Sequence, residues 1–489
     1  DEAENSGERP DVTYAGAYVF PSVAGYHEGV AALDFKSLYP TTMMLFNISP
    51  ETWVPASERS KYELADLTTT PSGATFRKRG DGVIPLVFRE ITEQRKVYTR
   101  VQLAEPVGSD AFKRYERIAG AYKTTGLSFY GALGNVQSRY YNPEVAEAVT
   151  LTGQWFERRT AELAESRGYR VVAGDTDSLH MPMTEVQARA FAAECGPYYR
   201  AIVAPFNVDM VRFGMELEFE NYFATLLITT KKRYAGLMTM FKGKPADHVE
   251  GKGLECVRSD GLEFARKMQR RFLERILRGR RPPAGEITAM VEAERATVLS
   301  GTLTVDEVSM TQSVDKPLND YKTTPPHVRV ARYIRATTNE YYQTMKVPYV
   351  MVSGPVDPEK PWKKVTPVPV WAREYEGNYD RYHAWNDKIF PPTRRVLEVV
   401  YPVVDWGAYV VEAPKPPRPI KGKRGVLVVG SAVRRKVPVE EKIAGGAIRR
   451  KIPLSVGFLE RTRVARGGVV RHPTDGWDLG APPRRMGRA

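Results

Sequence analysis

The alternation of apolar and polar residues divides the first half of the chain into short strands and longer helices. Between residues 12 and 35, β-prone runs separated by glycine and proline predict strands that lead into one ending at Asp34. Residues 82–103 and 109–134 carry apolar side chains at helical spacing, and the Pro-Gly break at 106–108 predicts two helices folded back on each other. A helix over 145–167 precedes a predicted β-hairpin over 169–183, whose turn carries two aspartates.

The pattern changes in the second half. Residues 210–240 predict further strands, whereas 259–280 and 326–346 predict basic amphipathic helices. Proline-rich sequence fills 354–371, and residues 412–425 have the composition of a linker. The following AVRRKVP (432–438) is repeated as AIRRKIP (447–453). Two copies are too few for a solenoid, so they predict a pair of short basic strands, two extended phosphate-binding segments, or a tail that is solvated or bound to a partner.

Charge is distributed unevenly over the 489 residues. The net charge is +14, and residues 414–489 alone contain 19 Lys or Arg against five Asp or Glu. The preceding 413 residues hold 53 of each sign. An electrically neutral body with a basic tail indicates binding to a polyanion, with nucleic acid the first candidate.

Other features narrow the class of protein. The two cysteines, Cys195 and Cys256, have no metal-ligand spacing and favour a reducing compartment over a disulfide framework. No apolar run is long enough for a membrane span and no signal peptide opens the chain, so we expect no membrane partner and a cytoplasmic protein, nucleoid-associated and either cellular or virus-encoded. The start at Asp1 predicts a processed, trimmed or partial product.

Three aspartates are the candidates for chemistry. Asp34 ends an apolar strand, and Asp175 and Asp177 lie at the tip of the predicted hairpin. Strand ends side by side on one sheet would place carboxylates on a rigid platform. Two neighbouring carboxylates repel unless a cation lies between them, and oxygen ligands suit Mg²⁺, which promotes phosphoryl transfer in pairs. A lone aspartate at a strand end is otherwise more often a turn former or a helix cap.

Five segments, taken in order, resemble the motifs of family B DNA polymerases. DFKSLYP (34–40), KTTGLSFYG (123–131) and GDTDS (174–178) are similar to motifs A, B and C of the family. TKKRY (230–234) resembles its Lys-Lys-x-Tyr element, and YAGA (14–17) its Tyr-x-Gly-Gly or Tyr-x-Gly-Ala element. The resemblance covers about residues 11–410, and the short intervals between the motifs are typical of compact archaeal or viral members.

The resemblance implies an α+β fold shaped as a right hand. The expected parts are a palm with an antiparallel sheet and packed helices, two-helix fingers, a mostly helical thumb and a basic C-terminal extension. Their expected bounds are 1–81 and 131–250 for the palm, 82–130 for the fingers, 251–411 for the thumb and 412–489 for the extension.

The resemblance also implies a template-directed DNA polymerase that adds dNTPs to a primer 3′ end with two Mg²⁺ ions, for which Mn²⁺ can substitute. Asp34 and Asp177 are the implied metal ligands, helped by the carbonyl of Phe35, with nearby Asp175 as a third candidate ligand.

Nucleotide binding is implied for a helix start and for the two fingers helices. The N–H groups at Ser37, Leu38 and Tyr39 would receive the triphosphate, and the Tyr39 ring would exclude a 2′-hydroxyl. Lys123 and Arg95 would neutralise the phosphates. Lys123, Leu127 and Tyr130 lie at i, i+4 and i+7, so they share one helix face.

The implied contacts with primer-template DNA come from four further segments. Lys231, Lys232, Arg233 and Tyr234 would hold the primer strand near its end. The other residues expected to touch DNA are Tyr14, Gly16, Gly131 and Thr176.

Several positions depart from the family pattern. Leu127 replaces the usual asparagine of motif B, Thr99 replaces the second basic residue of the fingers, next to Arg100, and Ala173 replaces the usual tyrosine of motif C. None of these removes an implied metal ligand, although the loss of an asparagine near the nucleotide puts fidelity or affinity in doubt.

Nothing in the chain resembles the 3′–5′ exonuclease that usually precedes motif A. We therefore expect proofreading to be missing or to be supplied by a separate exonuclease or N-terminal subunit, alongside other replication proteins. The alternative is a catalytically silent, polymerase-like subunit that binds DNA or scaffolds a replisome, but such a chain is expected to lose motif A or C carboxylates, and this one keeps all three.

Overall fold

The computed structural model describes residues 13–106, 109–341, 343–354 and 366–413. The basic repeat, most of the expected linker and most of the proline-rich stretch therefore lie outside the described residues. Within the described part the strands are β1 (Gly25–Phe35), β2 (Trp53–Val54), β3 (Leu67–Thr69), β4 (Thr75–Arg77), β5 (Ala173–Asp175), β6 (Ser178–Pro182), β7 (Leu217–Thr230), β8 (Arg233–Phe241), β9 (Lys244–Lys252), β10 (Met310–Ser313), β11 (Lys346–Val352) and β12 (Val368–Trp371).

Helices connect and cover these strands. Those in the described residues are α1 (Leu38–Leu45), α2 (Val83–Ala104), α3 (Asp110–Gly134), α4 (Pro143–Ser166), α5 (Glu185–Val203), α6 (Glu263–Arg278), α7 (Ala284–Ser300), α8 (Val305–Val308), α9 (Pro326–Thr337), α10 (Arg381–His383) and α11 (Phe390–Val400), with a π-helical turn between α10 and α11. None of them is long and apolar enough to cross a membrane.

The central sheet is antiparallel and six-stranded, in the order β5-β6-β1-β7-β8-β9. Strand β1 lies in the middle because it is apolar on both faces. Ala31, Leu33 and Phe35 pack against the helices on one side, whereas Val30 and Ala32 belong to a smaller apolar cluster on the other. Side chains alternate along a strand, so Asp34 emerges on the same face as Val30 and Ala32.

One face of this sheet is covered by α1, α4 and α5. Phe156 of α4 and Tyr199 of α5 are fully buried there with Phe35 of β1. The helices start where the sequence supplies caps: Asn142 accepts a hydrogen bond from the Val145 N–H, and Thr184 forms a capping box with Gln187. The buried face of α4 therefore has a fixed position relative to the strand end at Asp34.

The two helices expected at 82–134 form an antiparallel pair. Ser109 caps α3 by accepting a hydrogen bond from the Phe112 N–H. Aromatic side chains hold the pair together, since the rings of Phe88 and Phe129 lie 6.0 Å apart and those of Tyr98 and Tyr122 lie 5.7 Å apart. The region expected to form the fingers thus consists of α2 and α3, and α3 continues to Gly134.

Residues 251–411 contain more than helices. Their core packs α6, α7, α9 and α11 around buried side chains such as Phe272, Ile334 and Trp385. A three-stranded antiparallel sheet, β10-β11-β12, joins the same core. The expected helix over 326–346 ends at Thr337, and the chain then enters strand β11.

The strands expected between residues 12 and 24 do not form as predicted. Residues 13–24 carry only an isolated bridge between Val19 and Asp175, with hydrogen bonds from the Phe20 and Val23 N–H groups to the strand-β5 side of the sheet. Pro21 lacks an N–H, so a continuous ladder cannot extend through this segment.

Candidate active site

Strand pairing brings Asp34 and Asp177 together. In the antiparallel ladder of β1 and β6, Asp34 lies opposite Ser178, the residue after Asp177. The Phe35 N–H also donates to the Asp177 carbonyl over 2.7 Å, which joins the two segments directly. The aspartates are 143 positions apart in sequence and meet at one edge of a rigid sheet.

The turn between β5 and β6 carries Asp177 and follows a third aspartate, Asp175. Asp175 pairs with Ser178, so Thr176 and Asp177 form a two-residue hairpin turn. Thr176 has a φ of 62°, in the left-handed region, and its hydroxyl donates to Asp175 over 3.2 Å. A non-glycine residue with this backbone conformation is uncommon, and such positions concentrate at functional sites.

Burial and the charges of neighbouring carboxylates raise the pKa of both aspartates. Burial, then the charges of Asp177 and Glu220, raise the pKa of Asp34 to about 8. Burial also raises the pKa of Asp177, and Asp175 adds to the effect. Lys123 and Lys252 act in the opposite direction on both aspartates. The fingers lysine expected to bind phosphate therefore lies within electrostatic range of the pair.

A buried glutamate on α4 belongs to the same cluster, although the sequence motifs did not reveal it. Glu157 as a residue is 3% exposed, and no described residue forms a hydrogen bond with its Oε2 atom. Burial, followed by the charges of Asp177 and Asp175, raises its pKa to about 9. The available signal was positional: Glu157 lies four residues after buried Gly153 and four before buried Ala161, on the apolar face of the helix.

The donor set fits hard divalent cations. Asp34 and Asp177 offer carboxylate oxygens, the Phe35 carbonyl belongs to the same strand end, and all are oxygen donors of the kind that Mg²⁺ prefers. A bound cation would offset the repulsion that raises both pKa values. Among the described residues no group of three or more His, Cys, Asp or Glu side chains is placed to hold a metal ion. Mg²⁺ usually binds one or two carboxylates and keeps several waters, so water or substrate oxygens would complete its coordination here.

Asp175 has different partners from the other two aspartates. Its Oδ1 lies 3.1 Å from Nζ of Lys232, and its Oδ2 lies 3.8 Å from Nζ of Lys252. Lys232 is in the turn between β7 and β8 with a φ of 62°, and Lys252 ends β9. Lys252 was not among the predicted site residues, because β9 is a polar strand whose place depends on pairing with β8.

Three tyrosines line the start of α1. The rings of Tyr39 and Tyr130 lie 5.0 Å apart at 48°, and Tyr130 forms a hydrogen bond with Tyr14. Burial raises the pKa of Tyr39 and of Tyr130, so both hydroxyls stay protonated. Ser37, with a left-handed φ of 55°, precedes the first turn of α1, where Leu38 is buried. The N–H groups of a first helical turn have no partner within the helix.

Helix α4 also holds the segment that contains Tyr14 and Gly16. Thr150 donates to the Ala15 carbonyl and Gln154 donates to the Gly16 carbonyl, both over 2.6 Å. The Ala15 N–H in turn donates to Glu147 over 3.3 Å. Helix α4 therefore binds the Tyr14 segment and also packs against the Tyr39 ring at Gly153.

The remaining predicted residues lie around this cluster. Tyr234 packs against His180 with ring centroids 5.2 Å apart, and burial raises its pKa to about 12. Arg233 lies 3.8 Å from Glu255. Lys231 and Gly131 are exposed, and Arg95 on α2 forms no ion pair or hydrogen bond with any described residue. Lys123 thus lies within electrostatic range of Asp34 and Asp177. The three tyrosines contact one another through ring packing and a hydrogen bond. Arg95 shows neither kind of link to the site among the described residues.

The fold and the site together define a polymerase-type palm, and the chain belongs to DNA polymerase family B. The model of that family, described as "DNA polymerase family B", matches residues 2–399. The α+β polymerase fold expected from the sequence is confirmed by the likeness to a solved member of the family.

Individual relatives agree with this assignment. The chain is 30% identical to a DNA polymerase of Archaeoglobus fulgidus over 343 residues. The aligned region covers 70% of this chain and 40% of the relative. The chain is 29% identical over 354 residues to DNA polymerase II of Escherichia coli (strain K12), covering 68% and 41% respectively. The family B DNA polymerase structure from Pyrobaculum calidifontis is similar with a TM-score of 0.55 and 26% identity, covering 81% of this chain and 48% of the other. The chain thus spans less than half the length of each of these relatives.

Proposed function

We propose that this chain is the catalytic part of a DNA-directed DNA polymerase that extends a primer 3′ end by two-metal-ion phosphoryl transfer. The observation that carries the proposal is the meeting of Asp34 and Asp177 at the ends of paired strands, where burial and neighbouring carboxylates raise the pKa of both. Membership of DNA polymerase family B supports it.

The two aspartates and the Phe35 carbonyl would hold the divalent ions, Mg²⁺ or in its place Mn²⁺. When bound, such ions activate the primer hydroxyl and stabilise charge at the transferred phosphorus. Lys123, whose charge opposes the rise in the pKa of both aspartates, would bind the triphosphate from α3. Arg95 would approach it from α2. The first turn of α1 would contribute N–H groups to the phosphates.

The nucleotide sugar would lie against Tyr39. Its ring is held between α4 and Tyr130, which leaves little freedom to accommodate a 2′-hydroxyl. We therefore propose dNTPs rather than ribonucleotides as substrates.

Primer-template DNA would contact the segments around this pocket. Tyr14 and Gly16 are held in place by α4, and Gly131 and Thr176 flank the site on α3 and on the hairpin turn. Lys231 is exposed and available for phosphate, whereas Lys232 would exchange its ion pair with Asp175 for a primer phosphate. Arg233 and Tyr234 would complete the grip on the primer strand.

No segment of these 489 residues resembles a 3′–5′ exonuclease. We propose that proofreading is missing or is supplied by a separate exonuclease or N-terminal subunit. The purified chain should then leave a labelled single strand intact in Mg²⁺ without dNTPs. Progressive shortening from the 3′ end would contradict this part of the proposal.

Primer extension in Mg²⁺ tests the polymerase itself. Asp177→Ala should lower incorporation by about 10³-fold or more, because metal-assisted charge stabilisation is worth several kcal/mol and each 1.36 kcal/mol corresponds to a factor of about ten. Asp306→Ala, at an exposed aspartate of α8, is the matched control and should extend primers like the wild type. Wild type that binds DNA but incorporates no dNTP would instead favour a silent scaffolding subunit.

A further inference from the structure

A glycine in the middle of α4 supports the Tyr39 ring. Gly153 is buried, and a Cβ atom at this position would lie 2.8 Å from Cε1 and 3.3 Å from Cδ1 of Tyr39. It would also lie 3.4 Å from Leu38 Cδ2. A separation of 2.8 Å is well inside van der Waals contact, so the ring rests directly on the helix backbone.

The backbone of α4 gives no other reason for a glycine here. Gly153 is not among the residues with positive φ, and glycine inside a helix is less stable than alanine by roughly 0.5–1 kcal/mol. Gly196 of α5 makes the contrast, since a Cβ there would meet nothing within 4 Å. What distinguishes Gly153 is the space that Tyr39 occupies.

The ring has restricted room on its other side as well. Tyr130 lies 5.0 Å away between ring centroids, and it is itself held by Tyr14. Added bulk at position 153 would therefore push the Tyr39 ring away from α4, into the space beside Tyr130 that lies within electrostatic range of Asp177. On the proposed function, that space receives the sugar of the incoming nucleotide.

We infer that Gly153 is a specificity-determining residue: it sets the depth of the Tyr39 ring and thereby the room beside C2′ of the nucleotide sugar. This inference rests on the proposed polymerase function. It assigns sugar selectivity to a position on α4 as well as to Tyr39, which α1 carries.

Single-nucleotide incorporation with dNTPs and ribonucleotides tests the inference. Gly153→Ala should raise the preference for dNTPs by about tenfold, the effect expected when one extra methyl group overpacks a filled site, and it should raise the KM for dNTPs more than it changes kcat. Gly196→Ala adds the same methyl group to open space in a helix and should leave the preference unchanged.

A double-mutant cycle with Tyr39→Ala shows whether the effect passes through the ring. Tyr39→Ala alone should increase ribonucleotide use, and Gly153→Ala should add nothing in that background. A folded Gly153→Ala with unchanged selectivity, or an equal effect with and without the ring, overturns the inference. If the wild type incorporates no nucleotide, both the proposed function and this inference are wrong. If the wild type is active and Gly153→Ala has no effect through Tyr39, only this inference is wrong.

Thermal unfolding of wild type, the two single variants and the double variant provides a second measurement if Gly153→Ala is too unstable to assay. Gly153→Ala should lower the melting temperature when Tyr39 is present. It should leave the melting temperature unchanged in the Tyr39→Ala background, where the methyl group has room. Destabilisation that persists without the ring overturns the inference.

Discussion

The carboxyl groups of the site differ by what surrounds each of them. The Asp175 side chain is 18% exposed and lies between two lysines. For Asp34, burial and two further carboxylates raise the pKa. Glu157 is the extreme case, because it is buried and its Oε2 has no hydrogen-bond partner among the described residues. Leaving such a group unpaired costs on the order of 1–3 kcal/mol, so the arrangement favours ligand binding over stability.

The metal-free protein should therefore lose stability as the pH rises. Burial raises the pKa of Glu157 to about 9, above its ordinary value of 4.5, so between these values the folded state holds a proton that the unfolded state has released. The associated stability is complete below about pH 4.5 and is lost as the pH rises through about 9. Glu157→Gln should flatten the fall in unfolding free energy by up to about 1.4 kcal/mol per pH unit.

Chemical denaturation at several pH values in chelator measures this slope. Glu162→Gln provides the control, since Glu162 is an exposed residue of the same helix, paired with Arg159. The prediction is wrong if Glu157→Gln and Glu162→Gln have the same pH dependence.

At the scale of elements, α4 links the parts of the site. Its Phe156 packs against Tyr199 of α5, whose ring stacks on Phe35 of β1. The same helix supports Tyr39 at Gly153 and binds the Tyr14 segment through Thr150 and Gln154. A helix is well suited to this because residues three and four positions apart lie on one face, so a single rigid body fixes several loops.

Loosening this attachment should weaken DNA binding. Thr150→Val and Gln154→Met each remove one donor to the segment that carries Tyr14 and Gly16 at nearly constant volume. A hydrogen bond contributes a net 0.5–1.5 kcal/mol, so each variant should lower primer-template affinity by between about twofold and tenfold. Fluorescence anisotropy with labelled primer-template measures the affinity.

Thr297→Val is the control for this pair, because the Thr297 hydroxyl donates only within its own helix, to the Ala293 carbonyl. Affinities unchanged in both α4 variants would mean that the Tyr14 segment does not depend on these hydrogen bonds for DNA binding.

Sequence patterns predicted the elements whose periodicity is local. The strand that ends at Asp34, the antiparallel pair α2 and α3, and the hairpin around Asp177 all show their own apolar spacing. The polar strand β9 and the sheet β10-β11-β12 were missed, because their places depend on pairing with distant segments rather than on a pattern of their own.

The same distinction applies to the site. Motif order identified Asp34 and Asp177, and the structure places them together. Glu157, Gly153 and Lys252 could not be found this way, since their relevance comes from which segment each one faces in three dimensions. The roles proposed for Arg95 and Lys231 stay predictions that the described contacts do not test.

At the scale of the whole molecule, many cations among the described residues form ion pairs with acids. The helix over α6 was expected to present a basic face, but its lysine and most of its arginines form ion pairs: Lys267 with Glu263, Arg271 with Glu294, Arg275 with Glu286, and Arg278 with Asp247 and Glu274. Such exposed pairs add little stability, yet they lower the local positive potential that a polyanion would meet.

The basic segment 414–489 should therefore supply much of the salt-sensitive affinity for DNA. It adds 19 Lys or Arg and five Asp or Glu to a body with 53 of each sign. Each phosphate contact contributes about 0.9 to the slope of log affinity against log salt concentration, so deleting 414–489 should reduce that slope by several units and lower affinity by about tenfold or more near 0.1 M salt.

A length-preserving variant separates charge from chain length. Replacing the basic residues of the two repeats by glutamine, at Arg434, Arg435, Lys436, Arg449, Arg450 and Lys451, should reproduce part of the deletion effect on the salt slope. Primer extension at low salt should remain in both variants, because Asp34 and Asp177 lie in the folded body. If the slope and the affinity stay unchanged, phosphate contacts come from the body, and the tail's charge would then serve a protein partner instead.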